Sequence, residues 1–148
     1  MIMRFKCWTD GSTIMRAGQG EGPSGIGIVI SDAEDDHILT IIGEYIGHTT
    51  NNYAEFYAVE RCLETIIAIT DDFNIQDDIR IMSDSKLVVE TMGGDWQLKH
   101  DHLIEVQQRI ERLELKIGLT PEYIWVKGHA GNPMNELADF LAYTVAEG

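Results

Sequence analysis

Near the C-terminus, a histidine and an aspartate have the residue types and spacing for metal-dependent phosphodiester chemistry. His129 precedes Gly131 in a short loop, and Asn132-Pro133 then marks a helix start, because a first-turn proline lacks only an amide that would have no partner. The predicted helix covers about 134–146 and contains Asp139. A loop histidine or a helical aspartate alone is more often a solvated surface residue. The prediction therefore depends on the other acidic residues of the chain.

Three further acids follow predicted strands or lie near the start of a predicted helix. The alternating run 4–9 ends at Asp10, and the run 79–83 ends at Asp84, so each aspartate is predicted at the C-terminal tip of a strand. Glu55 lies in the first turns of a helix that follows a group of capping residues. In open α/β sheets, functional residues gather at the carboxyl ends of the strands. The sequence therefore predicts that four carboxylates converge: Asp10, Glu55, Asp84 and Asp139.

Four carboxylates at one place repel each other and require a counter-charge. An oxygen-rich site with no cysteine and at most one histidine suits a hard cation such as Mg²⁺ or Mn²⁺ better than zinc. Two such ions about 4 Å apart can stabilise both the attacking and the leaving oxygen of a phosphoryl transfer. Each acid taken singly could instead be a helix cap, a turn residue or a solubilising charge, but four together favour a metal site.

Hydrophobic periodicity predicts the elements that position these acids. Strands and helices are expected in the order βββαβααβα, with the first two strands after Asp10 forming a hairpin over 26–30 and 37–46 and the last strand over 123–126. In the helix over 101–116, apolar residues recur at three- and four-residue steps. Arg109 is assigned to the opposite, solvated face of that helix.

Five motifs together resemble the type 1 ribonuclease H family, whose members cut the RNA strand of RNA–DNA hybrids. The motifs follow the order of the family and span nearly the whole chain: Thr9-Asp10-Gly11-Ser12, Gly22-Pro23-Ser24-Gly25-Ile26-Gly27, Thr50-Asn51-Asn52-Tyr53-Ala54-Glu55, Ser83-Asp84-Ser85 and His129 through Asp139. The resemblance implies the ribonuclease H fold, an α/β fold with a five-stranded mixed sheet and helices on both faces, in a single domain over 1–148.

The resemblance also implies roles for the acids and for the histidine. Asp10 is expected to bridge two Mg²⁺ ions, for which Mn²⁺ can substitute. Glu55 and Asp84 are expected to complete the shell of one ion, and Asp139 that of the other. His129 would assist proton movement and product departure.

Contacts with the RNA–DNA hybrid are expected at two places. By the same analogy, Asn52, Asn135 and the Gly11-Ser12 backbone are positioned to touch ribose 2′-hydroxyls, which distinguish RNA from DNA. The segment 93–100 resembles the short Gly-x-Trp-x-x-Lys connection of family members without a basic handle. There, Trp96 could stack on a sugar or instead pack over the helix junction, and Lys99 could meet a phosphate. Because the chain lacks the basic handle, a protein partner could supply affinity for the hybrid.

Composition fits a small globular enzyme. The chain has 148 residues, of which 44% are hydrophobic, enough for one domain with its own core. It has neither an apolar run that could span a bilayer nor the features of a secretory signal. We therefore expect a cytoplasmic monomer without membrane contact. Cys7 and Cys62 are expected to be reduced core thiols.

The charge opposes binding to a polyanion. The formal net charge is −14, with 25 acidic and 11 basic residues, and such a charge repels nucleic acid. The acidic runs 32–36 and 71–78 are predicted at the pole opposite Asp10 and Asp84, which would leave the active face less negative. Two alternatives stay open: an acidic non-catalytic protein that docks on a basic partner or imitates nucleic acid, and a related nuclease for branched DNA.

Overall fold

The computed structural model describes residues 4–15, 18–34, 36–70 and 78–148. No helix within these ranges is both long and apolar enough to cross a membrane. In chain order, the described elements are β1 (Arg4–Thr13), β2 (Gly22–Asp32), β3 (Ile38–Thr49), α1 (Asn51–Ile69), β4 (Asp78–Ser83), α2 (Lys86–Met92), α3 (Asp101–Ile117), β5 (Glu122–Trp125) and α4 (Pro133–Glu147).

The five described strands form one mixed sheet in the order β3-β2-β1-β4-β5. The first three strands pair antiparallel, whereas β4 runs parallel to both β1 and β5. The predicted element order and the five-stranded mixed sheet are therefore confirmed. The central position of β1 places Asp10 in the middle of the sheet.

Helices cover both faces of the sheet, as predicted. Successive strand residues point to opposite faces, so Cys7 and Trp8 belong to different layers. Cys7 joins the main core, which α1 and α3 complete, and Trp8 joins a smaller cluster that includes Ala138 of α4. Burying each large aliphatic side chain of these layers contributes about 1.5–3 kcal/mol.

Strand β1 is longer than its alternation predicts, and this changes the location of Asp10. The parallel pairing of β1 with β4 ends at Thr9 opposite Ser83, but antiparallel pairing with β2 continues to Thr13 opposite Ser24. Asp10 was predicted at the tip of β1. It lies instead within the strand, as the first residue beyond the end of the pairing between β1 and β4. Its neighbour on that side is Asp84, which directly follows β4.

Two glycines allow helices to approach the sheet unusually closely. A Cβ atom on Gly27 of β2 would lie 1.9 Å from the carbonyl oxygen of Ala138, and one on Gly11 of β1 would lie 2.5 Å from the backbone nitrogen of Glu55. Only a residue without a side chain fits at such distances. These contacts bring α4 and α1 directly onto the strands at the level of Asp10.

The described acidic turn residues lie at the opposite end of the sheet, as predicted. Asp32 pairs with Phe5, and Asp78 pairs with Arg4, so about 17 Å and about 20 Å of extended strand, respectively, separate them from Asp10. Asp35 and the segment 71–77 lie outside the described residues. For Asp32 and Asp78, the predicted separation between acidic turns and active face is confirmed.

Gly27→Ala should destabilise the protein, because the added methyl group would overlap the Ala138 backbone and push α4 away from the sheet. Overpacking of this kind costs about 1–3 kcal/mol, and occasionally more. Urea unfolding of the variant measures the loss. Gly20→Ala is the matched control, since a Cβ there meets nothing within 4 Å. Equal stability of the two variants would contradict the close packing of α4.

Candidate active site

Three carboxylates from three elements meet at one end of the sheet. One oxygen from each of Asp10, Glu55 and Asp84 lies within 4.8 Å of the others. Asp10 and Glu55 are buried, and Asp84 is half-buried. The predicted convergence of these three residues from β1, α1 and the β4–α2 turn is therefore confirmed.

Local capping interactions place Glu55 and Asp84. The Thr50 side chain accepts a hydrogen bond from the Tyr53 amide at 3.1 Å and caps α1, which sets Glu55 in the second turn. The Gly11 amide then donates a hydrogen bond to Glu55 Oε1. Ser85 caps α2 by accepting from Val88 N at 3.2 Å, so the backbone turns sharply at Asp84.

Asp139 and His129 lie beside this trio. The Asn132 side chain accepts from the amides of Met134 and Asn135 at 3.0 and 3.2 Å and caps α4, with Pro133 as the first helical residue. Asp139 interacts with Asp10, and its Oδ2 lies 3.8 Å from His129 Nδ1. His129 has a φ of 56° and a side chain that is 81% exposed. The fourth acid and the histidine therefore reach the same end of the sheet.

The trio carries more negative charge than its surroundings stabilise. Burial raises the pKa of Asp10 well above its usual range, and the charges of Glu55 and Asp84 together with a hydrogen bond to Asp139 raise it further. Burial also raises the pKa of Glu55, although its hydrogen bond with Asp10 acts in the opposite direction. Burial again is the main cause of the raised pKa of Asp84. A cation between these groups would remove the repulsion.

The donor set fits divalent cations. The converging atoms are carboxylate oxygens, which hard ions such as Mg²⁺ prefer. Cys7 and Cys62 are free thiols buried in the main core, as predicted, and neither belongs to the carboxylate group. Asp10 interacts with each of the other three acids, so it is the residue that could bridge two ions, while Glu55 and Asp84 could hold one and Asp139 the other.

The predicted substrate-binding residues differ in accessibility. Asn52 and Lys99 are exposed, and Ser12 is half-buried. Trp96 is half-exposed and lines a groove between α2 and α3. Both alternatives for Trp96 therefore stay compatible with its position.

Two predicted substrate contacts need qualification. The Gly11 amide already donates to Glu55, so that N–H holds a carboxylate rather than a ribose. Asn135 is only 2% exposed, and its buried Oδ1 has no hydrogen-bond partner in the part of the chain that the structure describes. A ribose contact by Asn135 would require its surroundings to repack, and it stays a prediction.

Arg109 does not lie on a solvated face, contrary to the prediction. Its Nε donates to Glu60 Oε2 at 2.9 Å, and its Nη2 donates to the Tyr53 hydroxyl at 2.9 Å. These contacts join α3 to the N-terminal half of α1, which carries Glu55. The sequence contained one signal for this contact: Glu60 lies on the apolar face of α1, and a buried carboxylate requires a partner.

Without metal ions, the raised pKa values of Asp10 and Glu55 should make stability fall as pH rises. The protonated carboxyl is favoured in the folded state, so its contribution is complete below the unfolded pKa near 4 and is lost progressively above it. The Asp10→Asn substitution removes the part of this loss of stability that comes from Asp10. In EDTA the variant should exceed the unmodified protein by roughly 1–3 kcal/mol at pH 8, and by less at pH 5.

Denaturant unfolding at both pH values, with and without Mg²⁺, measures this difference. Excess Mg²⁺ should stabilise the unmodified protein and leave Asp10→Asn nearly unchanged, since a ligand stabilises only the form that binds it. Asp95→Asn is the control, because Asp95 is exposed in the loop after α2. A metal-free Asp10→Asn protein less stable than the unmodified one would contradict the charge repulsion described above.

Comparison with known proteins finds relatives of similar length. A ribonuclease H of Treponema denticola is 30% identical over 95% of this chain and 95% of its own length. A ribonuclease H of Lachnoclostridium phytofermentans is 31% identical over 99% of this chain and 94% of its own.

Solved structures show the same architecture. LC11-RNase H1 in complex with an RNA/DNA hybrid has a TM-score of 0.84 at 28% identity, covering 97% of this chain and 96% of its own. RNase H1 of the halophilic archaeon Halobacterium salinarum has a TM-score of 0.79 at 30% identity, covering 97% and 98%. The RNase H family model matches residues 4–147. With that match and these relatives of nearly equal length, the chain belongs to the ribonuclease H family.

Proposed function

We propose that this ribonuclease H hydrolyses the RNA strand of RNA–DNA hybrids with two Mg²⁺ ions, for which Mn²⁺ can substitute. The observation that carries the proposal is the meeting of Asp10, Glu55 and Asp84 within 4.8 Å, with Asp139 beside them. The structure of LC11-RNase H1 with an RNA/DNA hybrid supports the choice of substrate.

Each carboxylate has a distinct position for this chemistry. Asp10 is central and buried, so it would bridge two ions, with Glu55 and Asp84 on one side and Asp139 on the other. Ions held there would supply positive charge to stabilise the attacking and leaving oxygens of the phosphoryl transfer. Burial of Asp10 and Glu55 excludes water from one side of the site and strengthens these interactions.

His129 and Asn52 surround the carboxylates with groups that could contact the RNA strand. The exposed ring of His129 lies next to Asp139 and is accessible to a bound substrate. Asn52 is exposed at the start of α1, one helical turn before Glu55, and we expect its side-chain amide to contact a ribose 2′-hydroxyl. Recognition of this hydroxyl would restrict cleavage to the RNA strand.

Labelled substrates in Mg²⁺ buffer test the proposed function directly. The enzyme should cleave the RNA of an RNA–DNA hybrid and leave duplex RNA and branched DNA intact. Asp10→Asn should lose activity by orders of magnitude, because it removes the bridging carboxylate. Cleavage of branched DNA alone would support the alternative nuclease, and the absence of any cleavage would support a non-catalytic acidic protein.

Substitution of His129 should slow the enzyme without abolishing cleavage. General acid–base groups contribute typically about 10²- to 10⁴-fold, so His129→Ala should lower the single-turnover rate within that range and leave hybrid affinity nearly unchanged. His129→Asn should have the same effect on the rate as His129→Ala. It should fold more readily than His129→Ala, because asparagine tolerates the positive φ of this position. A single-turnover rate equal to that of the unmodified enzyme would exclude a chemical role for His129.

Neutralising the acids that the sequence predicts at the far pole should affect only long-range repulsion. Asp36 pairs with Lys6 at 3.0 Å and Asp78 with Arg80 at 3.2 Å, exposed pairs worth about 0–1 kcal/mol. Replacing Asp35, Asp36, Asp77 and Asp78 by asparagine should tighten hybrid binding at low salt. The gain should fade as the Debye length falls to about 10 Å at 0.1 M salt. A lower kcat, or a gain that persists at high salt, would contradict the distant location.

Lys99 should contribute a local phosphate contact instead. Lys99→Ala should weaken binding of an uncleavable hybrid and reduce the salt slope by about one ion. Lys116→Ala is the matched control. α1 and α3 run parallel, with His102 beside Tyr53 and Arg109 beside Glu60, so the first turn of α3 lies beside the start of α1. Lys116 is in the last turn of α3, about 21 Å further along the helix. Equal effects of the two variants would exclude a specific role for Lys99.

A further inference from the structure

Asp84 receives no support from the sheet ladder. It follows β4 directly, and the pairing of β4 with both of its neighbours ends at Ser83. It also precedes α2, which begins at Lys86. Its carboxylate must nevertheless stay close to two other carboxylates that repel it. Hydrogen bonds within the turn shape it, because Ser85 N donates to Ser83 Oγ at 3.1 Å and Ser85 caps α2. Contacts from outside β4 and α2 tie this turn to the rest of the sheet.

The last residue of β5 and the residues just after it supply three such contacts. Val126 N donates to Ser83 O at 2.9 Å, and Trp125 Nε1 donates to Asp84 O at 3.1 Å. The backbone of Gly128 lies so close to Asp84 that a Cβ there would be 2.9 Å from its Oδ2. The contacts of Val126 and Gly128 involve only backbone atoms on their side. Trp125 is thus the side chain of β5 that specifically holds the Asp84 turn.

Trp125 lies outside the buried core and is in contact with a cation. Its side chain is 42% exposed, although tryptophan is usually largely buried. Lys86 Nζ lies 4.7 Å from the centroid of the indole ring, within the range of a cation–π contact. This contact favours the ring orientation in which the indole N–H faces the carbonyl of Asp84.

We propose that Trp125, held by Lys86, is a positioning residue that prepares Asp84 for metal binding. The indole ties the backbone of Asp84 to β5, so the carboxylate stays with Asp10 and Glu55 before any ion binds. Preorganised ligands bind metal more tightly, because less ordering remains to be done on binding. The inference rests on the proposed function only in taking Asp84 as a metal ligand.

Trp125→Phe tests the proposal, since it keeps an aromatic ring and removes only the donor and part of the indole. Mn²⁺ binding to the substrate-free protein, measured by electron paramagnetic resonance, should weaken about three- to tenfold, the range expected for one hydrogen bond. The Mg²⁺ concentration for half-maximal hybrid cleavage should rise by a similar factor. The hybrid KM at saturating Mg²⁺ should change less than about twofold, and the unfolding temperature in EDTA less than about 3 °C.

Lys86 variants separate positioning from simple electrostatics. Removing a positive charge beside a cation site should by itself tighten Mn²⁺ binding. If Lys86 acts through Trp125, Lys86→Met should instead weaken binding, and Lys86→Arg, whose guanidinium also stacks on indole, should restore it. Tighter or unchanged binding in Lys86→Met would overturn the role of Lys86.

Tyr143→Phe is the matched control for Trp125→Phe. Tyr143 is 48% exposed and donates to Glu147 at 3.0 Å, so the variant also removes one donor from an exposed aromatic side chain. It should bind Mn²⁺ like the unmodified protein. Unchanged Mn²⁺ affinity in Trp125→Phe would overturn the proposal even if hybrid cleavage is confirmed. If Trp125→Phe binds Mn²⁺ more weakly but the unmodified protein fails to cut hybrid, the positioning role is supported and the proposed function is overturned.

Discussion

Repulsion between buried carboxylates is the constraint on which the rest of the structure depends. Asp10 and Glu55 lie together with little access to water, and burial and like charge both raise the pKa of Asp10. Until cations bind, the rest of the fold must supply the free energy that holds these two carboxylates together. Metal binding and folding stability are consequently coupled, because an ion that neutralises the site also removes a destabilising term from the folded state.

The backbone meets this constraint through close approach of helices to the sheet. Gly11 leaves room for α1 at Glu55, and Gly27 leaves room for α4 at Ala138, the residue before Asp139. A bulkier residue at either position would push a helix off the sheet and its carboxylate away from Asp10. The Arg109–Glu60 ion pair adds a second restraint by joining α3 to α1. The geometry of the site thus depends on residues that do not belong to it.

Much of this arrangement was predictable, because strand ends and helix starts are marked by short-range patterns. Asp10, Glu55 and Asp84 could be brought together from alternation and capping residues alone. The extension of β1 to Thr13 was not predictable in this way, since it depends on pairing with β2 rather than on local sequence. The contacts of Arg109 and Trp125 were also missed, because both side chains have partners far away in the sequence. Tertiary contacts of this kind leave no periodic signal.

The distribution of charge reconciles a net charge of −14 with a polyanionic substrate. At the pole away from the site, Lys6 and Arg80 form ion pairs with acids of the strand ends, so cations there are already neutralised. At the active end, Lys86 follows Asp84, Lys127 lies between Trp125 and Gly128, and the chain places Lys99 before α3. Because exposed charges act over about 8–10 Å at physiological salt, a hybrid at the active face would meet these nearby lysines more strongly than the distant acids. The total charge therefore affects the rate of encounter more than the contacts made after binding.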